Sequence, residues 1–390
     1  MDKVRFGIVG CGNMGTGHAK NFLDGKIDNG VISAVCDIDP ERFDFFKEKF
    51  GDTIKYFNTA EEMFKSGECD VVIICTPHYI HPDLAILAMD NNLHCIVEKP
   101  AGVYTLQVKE MLKRNETNDK ILGIMFNQRT NPAFKKMREM IAEGKIGEIK
   151  RTNWIITNWY RTQDYYDSGS WRATWAGEGG GVLYNQAPHN LDLFQWITGM
   201  MPSKLRAFCH FGKWHDIEVE DDVTCYCEYP NGATGVFITT TADAPGTNRF
   251  EVTGTKGTLI YEVDNFDSKK IHLYFKELAV DEREHCLKAE GFNLPEQKPV
   301  IEIEVDGVGP QHSGICNNIA NAILGLEDVY APASDGINGV RLANAMLLST
   351  WLDKEIELPF DDEFFYEELK KRIAISKPHT NVKKKVIAQN

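Results

Sequence analysis

The chain begins with a short apolar run that ends in a glycine pattern, Gly10-x-Gly12-x-x-Gly15, followed by residues typical of a helix. In a strand, turn and helix of this kind, the first glycine permits a tight turn and the second lets a pyrophosphate approach the backbone. The third allows the helix to pack closely on the strand. The N-terminus of such a helix favours an anion, because its backbone N–H groups are unpaired. The pattern predicts a dinucleotide-binding unit.

An acidic residue strengthens this prediction. The next apolar run, residues 31–37, ends in Asp37, where a carboxylate can accept a hydrogen bond from a ribose 2′-hydroxyl. The same carboxylate repels a 2′-phosphate, and no arginine follows directly to offset the repulsion. We therefore predict NAD rather than NADP as the cofactor. The residues expected around its phosphates and ribose are Gly10, Gly12, Asn13, Met14, Gly15 and Asp37.

Length and charge limit the classes of protein to consider. With 390 residues, the chain exceeds the size at which one core usually stops growing, so we expect two domains. A net charge of −14 argues against general affinity for nucleic acid or an anionic membrane. No apolar stretch approaches the roughly 20 residues that span a bilayer, and no signal-peptide pattern is present, so we expect a cytoplasmic protein. Ten cysteines without a CxxC pair predict small buried side chains and no metal site.

The first third of the chain alternates apolar runs with helical patterns, which is typical of a doubly wound parallel (α/β) sheet. We place a Rossmann dinucleotide-binding domain at residues 1–126. Two of its buried strands are predicted to end at residues 75–78 and 97–100, and ligands of such sheets bind at the carboxyl ends of the strands. The residues expected to contact the cofactor there are Thr76, Pro77, His78, His81, Glu98, Lys99 and Gln128.

From about residue 127 the pattern changes to long runs of alternating polar and apolar residues. These predict an α+β domain at residues 127–375, an open and mostly antiparallel sheet with helices on one face, which binds substrate. An open sheet with an apolar face needs cover, and the sheet of a second copy can supply it, so we expect a homo-oligomer. Late helices are predicted at residues 336–353 and 360–373, and residues 376–390 form a basic tail.

Lys99 is the first candidate for chemistry. A lysine at the end of a buried parallel strand is unfavourable for solubility and well placed for a ligand. Pro100 follows it and restricts the lysine to an extended backbone, which directs the side chain. The alternative is a surface lysine paired with Glu98. Both interpretations stay open on the sequence alone.

The second candidate lies in residues 179–192, where three glycines precede Asn185, Pro188, His189 and Asp192. Pro188 suits the first turn of a helix that runs to about residue 198. His189 lies four residues after Asn185 and three before Asp192, so the three are expected near one helix face. Asp192 is then expected to hold one imidazole nitrogen and leave the other for a substrate hydroxyl. A purely structural histidine is the alternative.

Aromatic residues concentrate between these two segments. Flat rings offer apolar faces to the C–H faces of sugars, while arginines and tyrosine hydroxyls can bind ring hydroxyls. For Trp154 we expect a place in the sheet core, and for residues 159–175 substrate lining and core packing are equally supported. The residues expected to line the substrate are Tyr160, Arg161, Trp171, Arg172 and Trp175, together with Lys99, Asn185 and His189.

Taken in order, these features resemble one known family, that of glucose-fructose oxidoreductase and inositol dehydrogenase (Gfo/Idh/MocA). They are Gly10-x-Gly12-x-x-Gly15, Asp37, the strand ending at Cys75-Thr76-Pro77, Glu98-Lys99-Pro100, and the triple glycine followed by His189. The resemblance covers nearly the whole chain. It implies a Rossmann domain, an open α/β sheet domain, a tightly held NAD or NADP, and oxidation or reduction at a sugar or polyol carbinol. Lys99 and His189 match positions that the family uses in catalysis.

Asn185 departs from the family pattern, because many members carry aspartate there and an asparagine cannot take a proton. Sugar 3-dehydrogenase-like members also have Asn-Gln before the histidine, which implies oxidation at C3 of a pyranose or glycoside. We assign the base to His189, an electrostatic and proton-relaying role to Lys99, and hydrogen bonding of the hydroxyl to Asn185. The reverse assignment, a Lys99 base whose pKa is lowered by desolvation, stays open.

Two other functions fit the same motifs. One is a glycosidase-like or epimerising enzyme that retains its NAD, oxidises the sugar transiently and returns the hydride. The other is a non-catalytic sensor of sugar and nucleotide, and the presence of both Lys99 and His189 argues against it. Product analysis without added NAD separates the first from a net dehydrogenase, because only net dehydrogenation consumes cofactor stoichiometrically.

Overall fold

The computed structural model describes residues 3–264, 267 and 270–377, and these contain two β-sheets. All but the first two residues of the predicted basic tail, 376–390, lie outside the described residues. Among the described helices, none combines the length and the apolar character that crossing a bilayer requires.

The N-terminal part forms a six-stranded parallel sheet, so the predicted doubly wound fold is confirmed. Its strands are β1 (Val4–Val9), β2 (Gly30–Cys36), β3 (Lys55–Phe57), β4 (Val71–Ile74), β5 (His94–Val97) and β6 (Leu122–Ile124). The helices between them are α1 (Asn13–Leu23), α2 (Asp44–Phe50), α3 (Ala60–Lys65), α4 (His81–Asp90) and α5 (Thr105–Glu116). The spatial order is β3-β2-β1-β4-β5-β6. The order reverses between β1 and β4, which is where doubly wound sheets bind their ligands.

The second part forms a nine-stranded sheet with helices. Its strands are β7 (Ile149–Ile156), β8 (Lys204–Phe211), β9 (Glu220–Glu228), β10 (Thr234–Thr240), β11 (Asn248–Gly254), β12 (Gly257–Val263), β13 (Ile271–Glu277), β14 (Ile301–Glu302) and β15 (Ile356–Glu357). The helices are α6 (Pro132–Ala142), α7 (Gln163–Tyr166), α8 (Pro188–Trp196), α9 (Glu282–Lys288), α10 (Gln311–Ile323), α11 (Ala333–Leu352) and α12 (Asp362–Ile373). The order is β14-β13-β12-β11-β7-β10-β9-β8-β15, and the β7–β10 pair is parallel within an otherwise antiparallel sheet. The predicted open, mostly antiparallel sheet is confirmed.

The two faces of this large sheet differ. On the inner face, Trp154 of β7 is fully buried and its ring stacks on Phe250, with centroids 4.3 Å apart. The expected place of Trp154 in the core is therefore confirmed. On the outer face, Ile155, Phe208 and Tyr226 keep between 37% and 52% of their surface exposed. Strand alternation gives this face a row of apolar side chains that the described chain leaves uncovered.

Two late helices share the core of the parallel sheet. Ile315 and Ile319 of α10 and Ile337 of α11 are buried in the same apolar cluster as β4 and β5. Gly123 of β6 makes room for this packing, because an added Cβ would lie 2.8 Å from Cδ1 of Ile319. Helix α10 was not predicted from the sequence. The core of the dinucleotide-binding part therefore includes side chains that come from residues far beyond 126.

Candidate active site

The turn between β1 and α1 has the geometry of a phosphate-binding turn. Gly10 has a φ of +94°, and a Cβ there would lie 2.7 Å from the carbonyl oxygen of Cys75. A Cβ on Gly15 would lie 2.0 Å from the carbonyl oxygen of Gly10, so close helix packing requires glycine here. A Cβ on Gly12 would meet no described atom within 4 Å. This open space at the N-terminus of α1 fits a pyrophosphate.

Asp37 is fixed beside this turn by backbone groups. Its Oδ2 accepts a hydrogen bond from the Cys11 N–H at 2.7 Å, and its Oδ1 accepts one from the Asp39 N–H at 2.9 Å. Asn13 and Met14 form the exposed first turn of α1. The carboxylate predicted to bind a ribose is therefore held next to the predicted phosphate site.

The ends of β4 and β5 lie close to the second part of the chain. Thr76 has a buried Oγ1 without a hydrogen-bond partner among the described residues, and Pro77 follows it. His78 places Nδ1 3.1 Å from the carbonyl oxygen of Glu178. Burial lowers the pKa of His78 well below its usual range, so the neutral ring can donate from Nδ1. An unpartnered hydroxyl at a strand end is the kind of group that a bound cofactor would satisfy.

Two predicted cofactor contacts are occupied by other groups. His81 is buried, with Nδ1 2.8 Å from the carbonyl oxygen of Pro100 and Nε2 2.7 Å from that of Thr76. It therefore braces the ends of β4 and β5 against each other. Gln128 donates from Nε2 to the Oε1 atom of Gln311 at 3.1 Å. These contacts engage both ring nitrogens of His81 and Nε2 of Gln128.

A buried ion pair underlies the end of β5. Nε2 of His18 lies 2.7 Å from Oε1 of Glu98, and both side chains are almost fully buried. Burial alone would raise the pKa of Glu98, but the hydrogen bond and charge of His18 lower it to about 2. Burial would lower the pKa of His18, but its neighbours Cys75, Cys316 and Glu98 raise it well above the usual value. The Lys99 N–H donates to Oε2 of the same carboxylate at 3.2 Å.

Lys99 extends from β5 to the second part of the chain. Its Nζ donates to the carbonyl oxygen of Asn185 at 2.7 Å, so the alternative of a surface lysine paired with Glu98 is wrong. Burial lowers the pKa of Lys99, while the charges of Glu98 and Glu178 oppose this effect. The positive charges of Arg172 and Arg161 lower it further. The amine is thus held at a site where losing its proton is easier than in water.

Asn185 connects four side chains at this point. Its Oδ1 accepts from the Tyr165 hydroxyl and from Nε2 of Gln186, both at 3.1 Å. Its Nδ2 donates to Oε1 of Glu178, and its carbonyl oxygen accepts from Lys99. One amide N–H thus remains for a substrate hydroxyl. The expectation that Asn185 lies on the helix of His189 is wrong, because α8 begins only at Pro188.

His189 lies in the first turn of α8 without the partner that the sequence predicted. The expectation that Asp192 holds the imidazole is wrong, because Arg129 binds that carboxylate from Nε at 2.8 Å and from Nη2 at 2.6 Å. Nδ1 of His189 is buried and has no hydrogen-bond partner within the described chain. Burial, followed by the positive charge of Lys99, lowers the pKa of His189 to about 3. The ring is therefore a neutral hydrogen-bonding group at physiological pH.

Two arginines and three aromatic rings form one wall of this site. Arg172 lies 4.7 Å from the ring centres of both Tyr165 and Trp171, and its Nη1 donates to the Tyr165 hydroxyl at 3.0 Å. Arg161 lies 5.0 Å from the same Tyr165 ring. The edge of Trp171 meets His78. The charges of both arginines act on Lys99, so this wall lies on the side of the predicted substrate position.

The remaining predicted substrate residues lie at the margins. Tyr160 is half exposed, and its carbonyl oxygen accepts from Arg161. Trp175 is buried in the core, where its ring packs on Phe211 and Trp351. For Trp175, core packing therefore outweighs substrate lining.

Several residues of the site were missed by the sequence analysis. Glu178 precedes the triple glycine, and an acidic residue beside that glycine segment was the available signal. Tyr165 lies within residues 159–175 but was not among the residues expected to line the substrate. His312 lies at the start of the unpredicted α10, and its ring meets that of His18 at 5.4 Å. For His18 and His312 no local sequence signal was available, since their partners are distant in the chain.

Comparisons with known proteins identify the family of both parts of the chain. Residues 4–126 match the family model described as "Oxidoreductase family, NAD-binding Rossmann fold", and residues 134–260 match the "GFO/IDH/MocA C-terminal domain". Myo-inositol 2-dehydrogenase of Thermotoga maritima is 27% identical over 263 residues, which cover 66% of this chain and 74% of that protein. The rhizopine catabolism protein MocA of Rhizobium meliloti is 29% identical over 207 residues, which cover 53% of this chain and 61% of that protein.

A solved structure shows a similar fold over almost the whole chain. It is the WlbA dehydrogenase of Chromobacterium violaceum in complex with NADH and UDP-GlcNAcA. The two structures superpose with a TM-score of 0.77 at 26% identity, over 93% of this chain and 97% of that chain. The fold of this chain is thus similar to that of a known dehydrogenase.

Proposed function

Because this chain belongs to the Gfo/Idh/MocA family of NAD-binding oxidoreductases, we propose that it transfers a hydride between a sugar or polyol carbinol and NAD. The observation that carries the proposal is the contact between the two halves of the site. Lys99, at the end of a strand of the cofactor-binding sheet, donates to the carbonyl of Asn185, three residues before α8. An amine of lowered pKa is thereby placed between the predicted cofactor and substrate positions.

The cofactor is held by residues of the first sheet. The N-terminus of α1 and the space above Gly12 receive the pyrophosphate, and the Asp37 carboxylate accepts from the ribose 2′-hydroxyl. Thr76 offers its unpartnered hydroxyl at the switch point of the sheet. Bound NAD supplies the hydride acceptor at its nicotinamide ring. Residues 1–126 supply these contacts, and residues 127–375 supply the substrate wall.

We assign the base to Lys99 and reverse the assignment made from the sequence. Hydride leaves a carbinol carbon as its hydroxyl proton is removed, so a base must touch the oxygen. Among the described residues no carboxylate is hydrogen-bonded to His189, since Asp192 is bound to Arg129, and the charge of Glu98 does not offset the burial that lowers the pKa of the ring. The hydroxyl proton therefore passes to Nζ of Lys99, and the neutral His189 ring hydrogen-bonds to the same oxygen. The carbonyl of Asn185 holds the resulting ammonium.

The substrate class follows from the wall of the site and from the relatives. Trp171 and Tyr165 offer flat faces, and Arg161 and Arg172 offer N–H donors, a combination that suits a ring with several hydroxyls. Of the relatives named above, one is a myo-inositol 2-dehydrogenase and another is solved with NADH and UDP-GlcNAcA. We propose a pyranose or glycoside oxidised at C3 as the specific substrate.

We also propose a cytoplasmic homo-oligomer formed through the large sheet. Its outer face carries Ile155, Phe208 and Tyr226 in exposed positions. Covering such a face with the same face of a second copy buries the apolar row of both.

The proposal is tested by adding NAD and a panel of monosaccharides, polyols and glycosides to the purified protein and following NADH. We expect NADH from a subset of pyranoses or glycosides, and none from Lys99→Met. NADH formation at the wild-type rate by Lys99→Met, or no NADH with any member of the panel, contradicts it. Sugar products formed without net NADH would instead favour an enzyme that recycles its NAD.

A further inference from the structure

Glu178 is a buried carboxylate that the mechanism above does not use. It is 2% exposed and lies directly before the triple glycine. Its Oε2 accepts from the Ala173 N–H at 2.6 Å, and its Oε1 accepts from Nδ2 of Asn185. Both partners are N–H donors, and a carboxylic O–H would need an acceptor that neither supplies. Burial raises the pKa of Glu178, while the hydrogen bonds from Ala173 and Asn185 and the charges of Arg172 and Lys99 oppose this effect, and the contacts fit the ionised form.

The environment of Glu178 connects it to Lys99 in two ways. The first is a chain of contacts, since Glu178 binds the side chain of Asn185 and Asn185 binds Nζ of Lys99 through its carbonyl oxygen. The second is charge, because Glu178 opposes the loss of a proton from Lys99. The backbone carbonyl of Glu178 also accepts from His78, so the residue is fixed to the end of β4. Its position relative to Lys99 is thereby set from both parts of the chain.

The other titratable groups near Lys99 do not duplicate this role. Glu98, the other anion facing Lys99, is bound by His18 at 2.7 Å. The cations facing Lys99 are Arg161 and Arg172, and the imidazoles whose pKa its charge lowers are His78, His81, His189 and His312. Among the described groups facing Lys99, Glu178 is thus the anion that contacts the same residue, Asn185, as the amine.

We propose that Glu178 is a positioning residue of the dehydrogenation site, which holds Asn185 against Lys99 and stabilises the ammonium formed when Lys99 takes the hydroxyl proton. This rests on the proposed function. In that step the O–H bond breaks, an N–H bond forms on Nζ, and the C–H electron pair leaves as hydride to NAD. The carboxylate of Glu178 itself neither gains nor loses a proton.

A second buried acidic residue, Glu220, whose pKa burial raises to about 8, provides a control for the packing and backbone contacts of this segment. Glu220 is fully buried, and its Oε1 accepts from the N–H groups of Gly181 and Leu183 at 2.8 and 3.1 Å. It thus supports the same glycine segment as Glu178, through backbone groups alone. A structural role predicts the same consequences for both residues, whereas a role towards Lys99 predicts an effect for Glu178 only.

The test compares Glu178→Gln with Glu220→Gln in pH profiles of kcat/KM for sugar oxidation. Loss of the anion disfavours the ammonium, so Glu178→Gln should move the acidic limb of the profile to lower pH by about one unit. The plateau should fall as the base weakens. Glu220→Gln should leave the position of the limb unchanged, even where it lowers stability. A limb that stays in place in Glu178→Gln, or one that moves equally in both variants, overturns the proposal.

A double variant that exchanges the amide and the carboxylate shows whether the loss of the negative charge, or a disturbed fold of the site, moves the limb of the profile. Glu178→Gln combined with Asn185→Asp keeps an amide and a carboxylate in contact and returns the anion to the neighbourhood of Lys99. We expect this double variant to recover most of the limb position that Glu178→Gln loses. Failure to recover it while the protein remains folded contradicts an electrostatic role for Glu178.

The pKa of Lys99 can also be measured without catalysis. With [ε-¹³C]lysine, the Lys99 signal is assigned by its absence from Lys99→Arg and then titrated by NMR. Glu178→Gln should lower this pKa by about one unit, and Glu220→Gln should not. An unchanged Lys99 pKa in Glu178→Gln overturns the proposal. If the pKa shifts but no sugar is oxidised, the proposed function fails while the placement of Glu178 stands.

Discussion

The guanidinium of Arg129 donates two parallel hydrogen bonds to the carboxylate of Asp192, at 2.8 Å from Nε and 2.6 Å from Nη2. Both side chains are about 1% exposed, and Nη1 of Arg129 binds Asp335 as well. This pair takes away the carboxylate that would have held His189. Through Asp192 and Asp335, Arg129 links the turn before α6 to α8 and α11. The Arg129–Asp192 pair therefore stabilises the fold. Although it lies beside His189, it takes no part in the proposed transfer of the proton or the hydride.

This pair leads to a prediction about stability. Arg129→Met leaves Asp192 buried without its cation, so the free energy of unfolding should fall by about 3–5 kcal/mol. Arg129→Met combined with Asp192→Asn should recover part of that loss, because the unpaired charge is gone. Urea titration measures both. Asp192→Asn alone should keep the kcat of the folded enzyme within a few-fold of wild type, and a loss as large as that of His189→Ala would show that Asp192 does act on the imidazole.

The catalytic assignment predicts large losses of rate with intact cofactor binding. Lys99→Met and His189→Ala should each lower kcat/KM by about 10²- to 10⁴-fold, because they remove the base and a hydrogen bond to the reacting oxygen. The Kd for NADH, measured by fluorescence, should change little. Lys113→Met, an exposed lysine on α5, serves as the control and should be active. Near-normal turnover of both site variants would rule out the assignment.

Cofactor preference should depend on Asp37. Asp37→Ser removes the carboxylate that the Cys11 N–H holds beside the phosphate turn, so NAD should bind about tenfold more weakly. NADP binding should improve, since the repulsion of a 2′-phosphate is gone. Asp39→Ser, two residues along the chain, is the matched control and should keep the preference for NAD. Calorimetric titration of both dinucleotides gives the result, and a wild-type protein that binds NADP more tightly than NAD would contradict the assignment.

The His18–Glu98 pair should make stability depend on pH. Glu98 has a pKa of about 2 in the folded protein, below its unfolded value of about 4.3, so its contribution is present above pH 4.3 and is lost as the pH falls towards 2. His18 has a raised pKa, so its contribution is present below about pH 6.5 and is lost as the pH rises through the folded value. The difference in unfolding free energy between wild type and Glu98→Gln should therefore be largest between about pH 4.3 and 6.5. A difference independent of pH would mean that the pair is not ionised.

The outer face of the large sheet predicts self-association. We expect the purified protein to have a mass above that of the 44.1 kDa chain in light scattering. Phe208→Glu, in the middle of the exposed apolar row, should shift it towards the monomer. Leu23→Glu changes a comparably exposed residue on α1 and should leave the assembly intact. A monomeric wild-type protein would contradict the proposed interface.

The fold could be predicted from the chain because its strands are strongly patterned. The run at β4 is continuously apolar, and those at β1 and β5 are apolar apart from Arg5 and His94, as expected of strands covered on both faces, and their ends were located to within one or two residues. Helix α10 was not predicted, because polar residues such as Ser313 and Asn318 on its buried side interrupt the apolar pattern that predicts a helix. Asn318 is buried to bind the backbone of Asp328 and Tyr330, a long-range requirement that weakens the apolar periodicity.

The site was predictable only where its residues follow motifs. Lys99 and the glycine turn stand at strand ends, and any parallel sheet places such residues at one edge. The partners of these residues were not predictable, since Glu98 and His18 are 80 residues apart and Lys99 and Asn185 are 86 apart. The misplaced expectation for Asp192 has the same origin. Helical spacing suggested a contact with His189, and a buried arginine 63 residues away binds the carboxylate instead.

The packing of α10 and α11 on the parallel sheet affects how this enzyme can be re-engineered. A fragment that ends at residue 126 would expose the surfaces that Ile315, Ile319 and Ile337 now cover, and Gly123 would face water. The cofactor-binding half therefore cannot be grafted onto another substrate domain as a continuous cassette. A functional chimera must bring residues of α10 and α11 along with the first 126, so that recombination points follow the shared core instead of the linear order of the chain.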